Sequence, residues 1–387
     1  MSKLEQLIAE LCPNGVEYVS LGKACLPTTN IKWKANSGQT FRYIDLTSVD
    51  RAEHRIMDTQ EIDISNAPSR AQQLVQTDDV IFATTRPTLQ RFCSITEEFD
   101  GQVCSTGFCI LRANLNEIVP RYIYHVLGTS TFQSYIEAVQ KGASYPAVTS
   151  GEVKAFIIPL PPLPIQREIV RILDNFTELT AELTAELTAR KKQYEYYRNE
   201  LLTFGDDVPM VPLGETCYMK SGKSMPSSDI SSEKTDDASV VCFGGNGVRG
   251  FVAESSHHGN FPIIGRQGAL CGNVNYATGY FYATEHAVVV KSKGRYDQRF
   301  LYYLLDSMNL NQFKSQGAQP GLAVGNIEKI IAPLPPLADQ VRIVSILDQF
   351  DALTTDITSG LPAEIEARNK QYGYYRDKLL TFKEVGA

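Results

Sequence analysis

PLPPLPIQREIVRILDNF, residues 159–176, returns as PLPPLADQVRIVSILDQF at 333–350. Each copy leads to a second shared phrase, KQYEYYRNELLTF at 192–204 and KQYGYYRDKLLTF at 370–382. A repeat of this length is far longer than the unit of a solenoid array. The chain therefore reads as two versions of one module, each a globular stretch followed by a long helix. Two such modules imply contact with two similar but non-identical things.

The stretches before each helix repeat as well. Val19-Ser-Leu-Gly-Lys-Ala-Cys25 matches Val211-Pro-Leu-Gly-Glu-Thr-Cys217, so each module is entered through a VxLGxxC strand. YIDLTSV, DDVIFAT, FCSITEE and GFCILRA are short β-branched or aromatic runs bounded by turn residues, and so are SVVCF, GFVAES, FPIIG and AVVVKS of the second module. Helical spacing follows at 118–140 and again in RFLYYLLDSMNLNQF, where Arg121-Tyr-Ile-Tyr-His-Val-Leu matches Arg299-Phe-Leu-Tyr-Tyr-Leu-Leu. Each module is α+β.

The first long helix is expected at about 165–203, with Pro164 in its first turn, where no N–H is needed. Ile169, Ile172, Leu173 and Phe176 form an apolar stripe. The tandem Thr180-Ala-Glu-Leu183, Thr184-Ala-Glu-Leu187 then sets Leu179, Leu183 and Leu187 four apart on one seam. Some forty residues would span roughly 60 Å, too long for one small domain. Its expected partner is the helix after Pro336, with Leu353 and Ile357 as its seam. Gly360-Leu361-Pro362 predicts a kink or restart near 362 in that second helix. Module one is preceded by LEQLIAELCPNG and module two by LLTFGDD, so the N-terminal helix is expected to dock beside the C-terminal one. The boundaries drawn are 1–158, 159–204, 205–332 and 333–387.

Composition narrows the function. A 387-residue chain with 43% hydrophobic and 21% charged residues has room for two or three domains with cores of their own. No segment reaches the roughly 20 apolar residues of a membrane span, and the N-terminus does not read as a signal peptide, so a cytoplasmic location is expected. The eight cysteines form no CxxC pair and sit among apolar neighbours, as free buried thiols do. The net charge is −7 and none of the four segments is basic, so any nucleic-acid contact must use local patches or a partner's charge.

Motifs for chemistry fail on context. Gly245-Asn-Gly247-Val-Arg-Gly250 matches G-x-G-x-x-G, but strand-like FVAESS follows where a helix is required, so it reads as a glycine turn. Ser221-Gly-Lys-Ser224 lacks the first glycine of a phosphate loop. His257-His258 lies in a polar loop, and no nucleophile, base or cofactor cradle is assembled. No metal, cofactor or catalytic residue is assigned.

The doubled PLPPLxxQxxIVxILDxF phrase, the KQYxYYRxxLLTF helix ends and the CPNGVEYVSLG opening resemble the specificity (S) subunit of type I restriction-modification enzymes, and the TAEL tandem resembles one subgroup of that family. The resemblance covers essentially the whole length. It implies two globular target recognition domains separated by a long antiparallel coiled-coil helix pair, with a pseudo-twofold internal repeat. It further implies a non-catalytic chain in which each domain reads one half of a split, asymmetric DNA sequence. The helices would space the domains and dock two adenine methyltransferase subunits, with motor-nuclease subunits joining later. S-adenosylmethionine, ATP and magnesium would belong to those partners.

One added TAEL unit would lengthen a helix by about 6 Å and rotate it by a net of about 40°, against about 3.4 Å and 35° for a base pair. Repeat number is therefore expected to set the gap between half-sites. Residues shared by both modules cannot explain two different sequences. Arg86 and Arg266, taken as equivalent, are assigned to the DNA backbone. The unshared Thr88, Gln90 and Arg91 of module one, and Gln267, Asn273 and Asn275 of module two, are assigned to bases, since Arg reads guanine and Gln or Asn adenine. Lys32, Trp33 and Lys34, with Lys220, Lys223 and Arg249, suit DNA-facing loops. A solvated loop residue is the competing reading for each. Tyr194, Tyr196, Tyr197, Tyr372, Tyr374 and Tyr375 serve helix packing and partner docking. Two other classes compete: a scaffold bridging two protein partners, and a nucleotide-dependent enzyme resting on the failed glycine motifs.

Overall fold

The computed structural model describes residues 2–268, 270–315, 320–355 and 360–386. By internal contacts the chain forms two units, Met1–Leu183 with Ile365–Ala387, and Thr184–Glu364. The central helix Leu163–Leu201 gives its first half to unit one and its second half to unit two. Pro164 occupies its first turn, as the sequence requires.

The two units share one four-stranded sheet in the same order. In unit one, Cys25–Leu26, Phe108–Ala113, Val80–Ala83 and Phe92–Ser94 lie side by side; in unit two the row is Cys217–Ser221, Ala287–Ser292, Phe261–Gly265 and Val274–Ala277. A second sheet in each contains one parallel pair, joined at Tyr43↔Val103 and at Val241↔Phe281. A short ribbon closes each module against its helix, Glu17–Ser20 on Ile157–Leu160 and Met210–Pro212 on Ile331–Pro333. Strand registers give residue equivalences. Cys25 pairs with Ala113 as Cys217 pairs with Ser292, and Phe108 pairs with Ala83 as Ala287 pairs with Gly265.

The shared residues of the repeat make the joint between module and helix. Gln166 is wholly buried; its Oε1 accepts from the Val119 N–H at 2.9 Å, and its Nε2 donates to the carbonyls of Glu117 and Pro161, each at 2.8 Å. Gln340 does the same in unit two with the Asp297 N–H (2.7 Å) and the carbonyls of Arg295 (3.1 Å) and Pro335 (2.8 Å). Arg121 binds Asp174 at 2.9 Å, and its equivalent Arg299 binds Asp348 at 2.7 Å and Asp351 at 2.8 Å. Within unit one Phe176 stacks on Tyr375, and within unit two Phe350 stacks on Tyr197, each with ring centroids 5.6 Å apart.

The N-terminal helix Lys3–Leu11 is capped by Ser2 and Glu5. Its Leu4, Leu7 and Ile8 join the core that holds Leu379, Leu380 and Phe382, so it docks beside the C-terminal helix as expected. Val16 bridges Glu384, and the Tyr18 hydroxyl donates to the Phe382 carbonyl at 2.7 Å. The second long helix is two, Leu337–Thr355 and Leu361–Leu379, the latter restarting with Pro362 in its first turn. Ile357 lies outside the described residues.

Two expectations change. The run 118–140 is two helices, Pro120–Leu127 and Ser130–Val139, because Thr129 turns extended and accepts the Phe132 N–H at 3.2 Å. The strand in YIDLTSV ends at Ile44, because the Asp45 carboxylate captures the backbone N–H groups of Thr47 and Ser48 in a turn. All eight cysteines are free, seven of them buried, and burial pushes the half-buried Cys25 thiol up to about 12. Among the described residues no helix is long and apolar enough to cross a membrane, and no group of side chains could hold a metal ion.

Candidate nucleic-acid interface

The hairpin Val240–Gly244, Gly247–Val252 carries the glycine motif as a tight turn, with Gly247 at φ +98°. A Cβ on Gly247 would stand 2.9 Å from the Asn275 Oδ1, and one on Gly265 would stand 2.0 Å from the Gly245 carbonyl oxygen. The glycines thus let the hairpin tip press onto the end of strand Phe261–Gly265. The result is an open cleft of about 940 Å³ in unit two, to which Asn246, Arg249, Gln267, Glu285 and His286 contribute. The exposed Arg249 donates to the Ser227 hydroxyl at 2.8 Å. Asn273 reaches the cleft through Asn246, donating to its Oδ1 at 3.0 Å. Half-buried Arg266 lies behind, its Nη1 donating to the Ser221 hydroxyl at 2.9 Å.

Two module-two candidates, Arg249 and Gln267, therefore line one cleft, with Asn273 bonded to its Asn246, Asn275 beside its glycine turn and Arg266 behind. Lys220 stands apart, exposed on strand Cys217–Ser221; Lys223 is exposed just beyond it, its N–H donating to the Ala283 carbonyl at 3.1 Å. Glu285 and His286, joined at 3.2 Å, are cleft residues that the sequence reading missed. Their signal was available: two unshared polar residues between two strand runs.

Module one presents a different surface. Arg86 and Gln90 both take left-handed backbone (φ +48° and +51°) around the single turn Pro87–Leu89. Such residues cost on the order of 1 kcal/mol each, which marks the loop as held rather than relaxed. Arg86 is exposed with its guanidinium 5.0 Å from the ring of Tyr145, itself 71% exposed. Thr88 is half-buried within the turn, and Arg91 donates through Nη1 to the Leu46 carbonyl. Lys32 and Lys34 are exposed, whereas Trp33 faces inward, its Nε1 donating to the Ala71 carbonyl at 3.0 Å and its ring edge-on to Phe41.

The strand registers correct one alignment. Ala83 is equivalent to Gly265, so Thr84, not Arg86, occupies the position of Arg266. Thr84 and Arg266 take matching backbone bonds, to Gly107 and His286. The error came from aligning two arginines by type, when the loops beyond the strands differ.

On the helices Tyr196 and Tyr374 are 65% and 62% exposed, each edge-on to its neighbour, Tyr197 or Tyr375, at 5.4 Å. Leu183 and Leu187 are half-buried, while Leu179 and Leu353 are exposed. The seam is thus only partly covered, and the tyrosines offer apolar area with a polar tip, as interface residues do.

Residues 47–190 and 205–367 match the model of the type I restriction modification DNA specificity domain. The chain is 48% identical over 230 residues to the type I restriction enzyme EcoprrI specificity subunit of Escherichia coli, a match covering 56% of this chain and 57% of that one. To the EcoR124I/EcoR124II specificity subunit of E. coli it is 32% identical over 324 residues, 74% and 76% of the two chains. A chain from a solved type I R-M system, described in connection with complex assembly and conformational transition, superposes with a TM-score of 0.67 at 27% identity, covering 96% of this chain and 98% of that one. The S subunit of a type I system from M. genitalium shares the fold, with a TM-score of 0.59 at 16% identity over 95% of this chain and 96% of that one.

Proposed function

Since this chain belongs to the type I restriction-modification DNA specificity family, we propose that it reads DNA for such a complex, one module for each half of a split target. The observation that carries this reading is the internal repeat itself: one scaffold built twice, with different loops at the reading ends. The glycine-turn cleft of module two and the strained 85–91 loop of module one share no polar side chain at equivalent positions, as two different half-sites require.

In this reading residues 1–158 and 205–332 are the recognition domains, and 159–204 with 333–387 are the spacers. The exposed tyrosines of the helices dock two adenine methyltransferase subunits. Motor-nuclease subunits complete the restriction complex in the cytoplasm, and the chemistry, with its S-adenosylmethionine, ATP and magnesium, resides in those partners. Arg86 and Arg266 face the DNA backbone, Arg249 belongs to a DNA-facing loop, and Gln267, Asn273 and Asn275 face adenine-bearing steps. The chain alone performs no chemistry.

The test is a methylome. The chain is expressed with its neighbouring methyltransferase subunit in a methylation-free host, and modified adenines are mapped by single-molecule sequencing. The expected result is one split motif, two short blocks about a fixed gap of roughly six base pairs. A stable complex that methylates no defined sequence would overturn the reading.

A further inference from the structure

On the outer face of module two the strand pairing aligns three lysines. Tyr218 stands opposite Lys291 and Lys220 opposite Val289 on paired strands, so Tyr218, Lys220, Lys291 and Lys293 fall on one side of the sheet. They line a groove of about 520 Å³ bordered by His257, His258 and Phe261. Tyr218 is 63% exposed, and Lys293 lies 4.9 Å from its ring while donating to the Gly214 carbonyl at 2.8 Å. Glu328 is the one carboxylate lining the groove. Lys220 and Lys291 are exposed and enter no ion pair among the described residues.

Module one carries different groups at this place. The residue equivalent to Lys291 is Arg112, held by Asp79 in two bonds of 2.9 and 2.7 Å and 13% exposed. Asp79 is replaced by Phe261 in module two, the strand pairing and its flanking backbone bonds put Leu26 and Asn114 where module two has Tyr218 and Lys293, and Lys154 stands where module two has Glu328. The sheet face has therefore exchanged the Asp79–Arg112 pair for Phe261 and an unpaired Lys291 and gained Tyr218 and Lys293, while Glu328 stands where module one has Lys154, in a chain whose net charge is −7. Lysines two apart on a strand stand about 6.7 Å from each other, close to two 3.4 Å steps of a DNA strand.

The geometry points to this face of module two as a second DNA contact, a sequence-independent wall for the phosphodiester backbone. It rests on the reading that the modules bind DNA. Phosphate contact by lysines releases counterions without naming a base.

The experiment uses the complex with its methyltransferase subunits and follows, by fluorescence anisotropy against salt, a cognate duplex and an unrelated duplex of equal length. In the triple variant Lys220→Ala, Lys291→Ala, Lys293→Ala both affinities fall by one common factor, on the order of 10- to 100-fold. The slope of log K against log salt flattens by about two to three, and the methylated motif is unchanged. Lys291→Gln alone flattens it by about one. Unaltered affinity and slope, beside a wild-type complex that binds its cognate duplex, overturn the proposal; so does loss of the methyltransferase subunits from the purified variant, which would make the face a protein interface. A wild-type complex with no preference for its cognate duplex would instead overturn DNA reading, and this proposal with it.

Discussion

Gln166 and Gln340 carry no charge, yet each bonds three backbone groups where a module meets its helix. A buried amide that is removed leaves those groups unpaired, at about 1–3 kcal/mol for the set or more. Gln340→Leu is accordingly expected to destabilise the protein by about 3 kcal/mol, read as a lower urea midpoint with an unchanged slope. His125 occupies the same joint in unit one, where unit two has Tyr303. Burial holds its pKa below the usual 6.5, despite the Asp174 carboxylate 2.9 Å from Nε2. The neutral ring then donates from Nε2 to Asp174 and accepts at Nδ1 from the Tyr372 hydroxyl, 2.9 Å away. Arg121 and Arg376 add positive charge around it. The unfolded chain takes up this proton first as pH falls, so stability is full above about 6.5 and declines below it, towards the lower folded value. Urea midpoints measured from pH 7.5 to 5 should fall in the wild type and fall less in His125→Gln. The repeat made these residues visible as shared, but not their task, because partners such as Val119 and Asp297 are remote in sequence. The loop residues were harder still: Trp33 looks like a DNA-facing aromatic until the sheet beneath it supplies an acceptor for its indole.

Helices were the most legible elements, because proline, the apolar stripe and the TAEL tandem each act within a few residues. The break in the distal helix was readable from Gly360-Leu361-Pro362, and the helix restarts with Pro362 where its missing N–H costs nothing. Pro362→Ala is therefore expected to shift stability by less than about 0.5 kcal/mol. Leu183→Pro, in the uninterrupted central helix, should cost about 3 kcal/mol and abolish methylation of the split motif. A third TAEL unit should keep both half-sites and change the gap between them; methylation of an unaltered motif would refute the spacer assignment. Sheet elements were legible as strand runs but not as boundaries. Side-chain capture by Asp45 and the cap at Thr129 decided where runs ended, and both compete with propensity on equal terms.

At the scale of the whole molecule, two globular modules were legible because the duplication is written in the sequence, whereas the surfaces that differ between the copies were not. Where Phe261 replaces Asp79, only the strand register shows which cation has lost its counter-charge. The overall charge of −7 sets a further expectation. Without its partners the chain should bind a cognate duplex at least tenfold more weakly than the assembled complex at moderate salt, measured by anisotropy. The division into units also has a consequence for biosynthesis. Unit two is one continuous stretch of chain, while unit one is assembled from residues on both sides of it, with Tyr18 bonded to Phe382 and Val16 bridged to Glu384. Domains emerging from a ribosome ordinarily fold from the N-terminus onward. Here Leu380, with Tyr372, Leu379 and Phe382 packed beside it, reaches the core of unit one only after unit two has been translated, so that part of the first module's core is expected to close last.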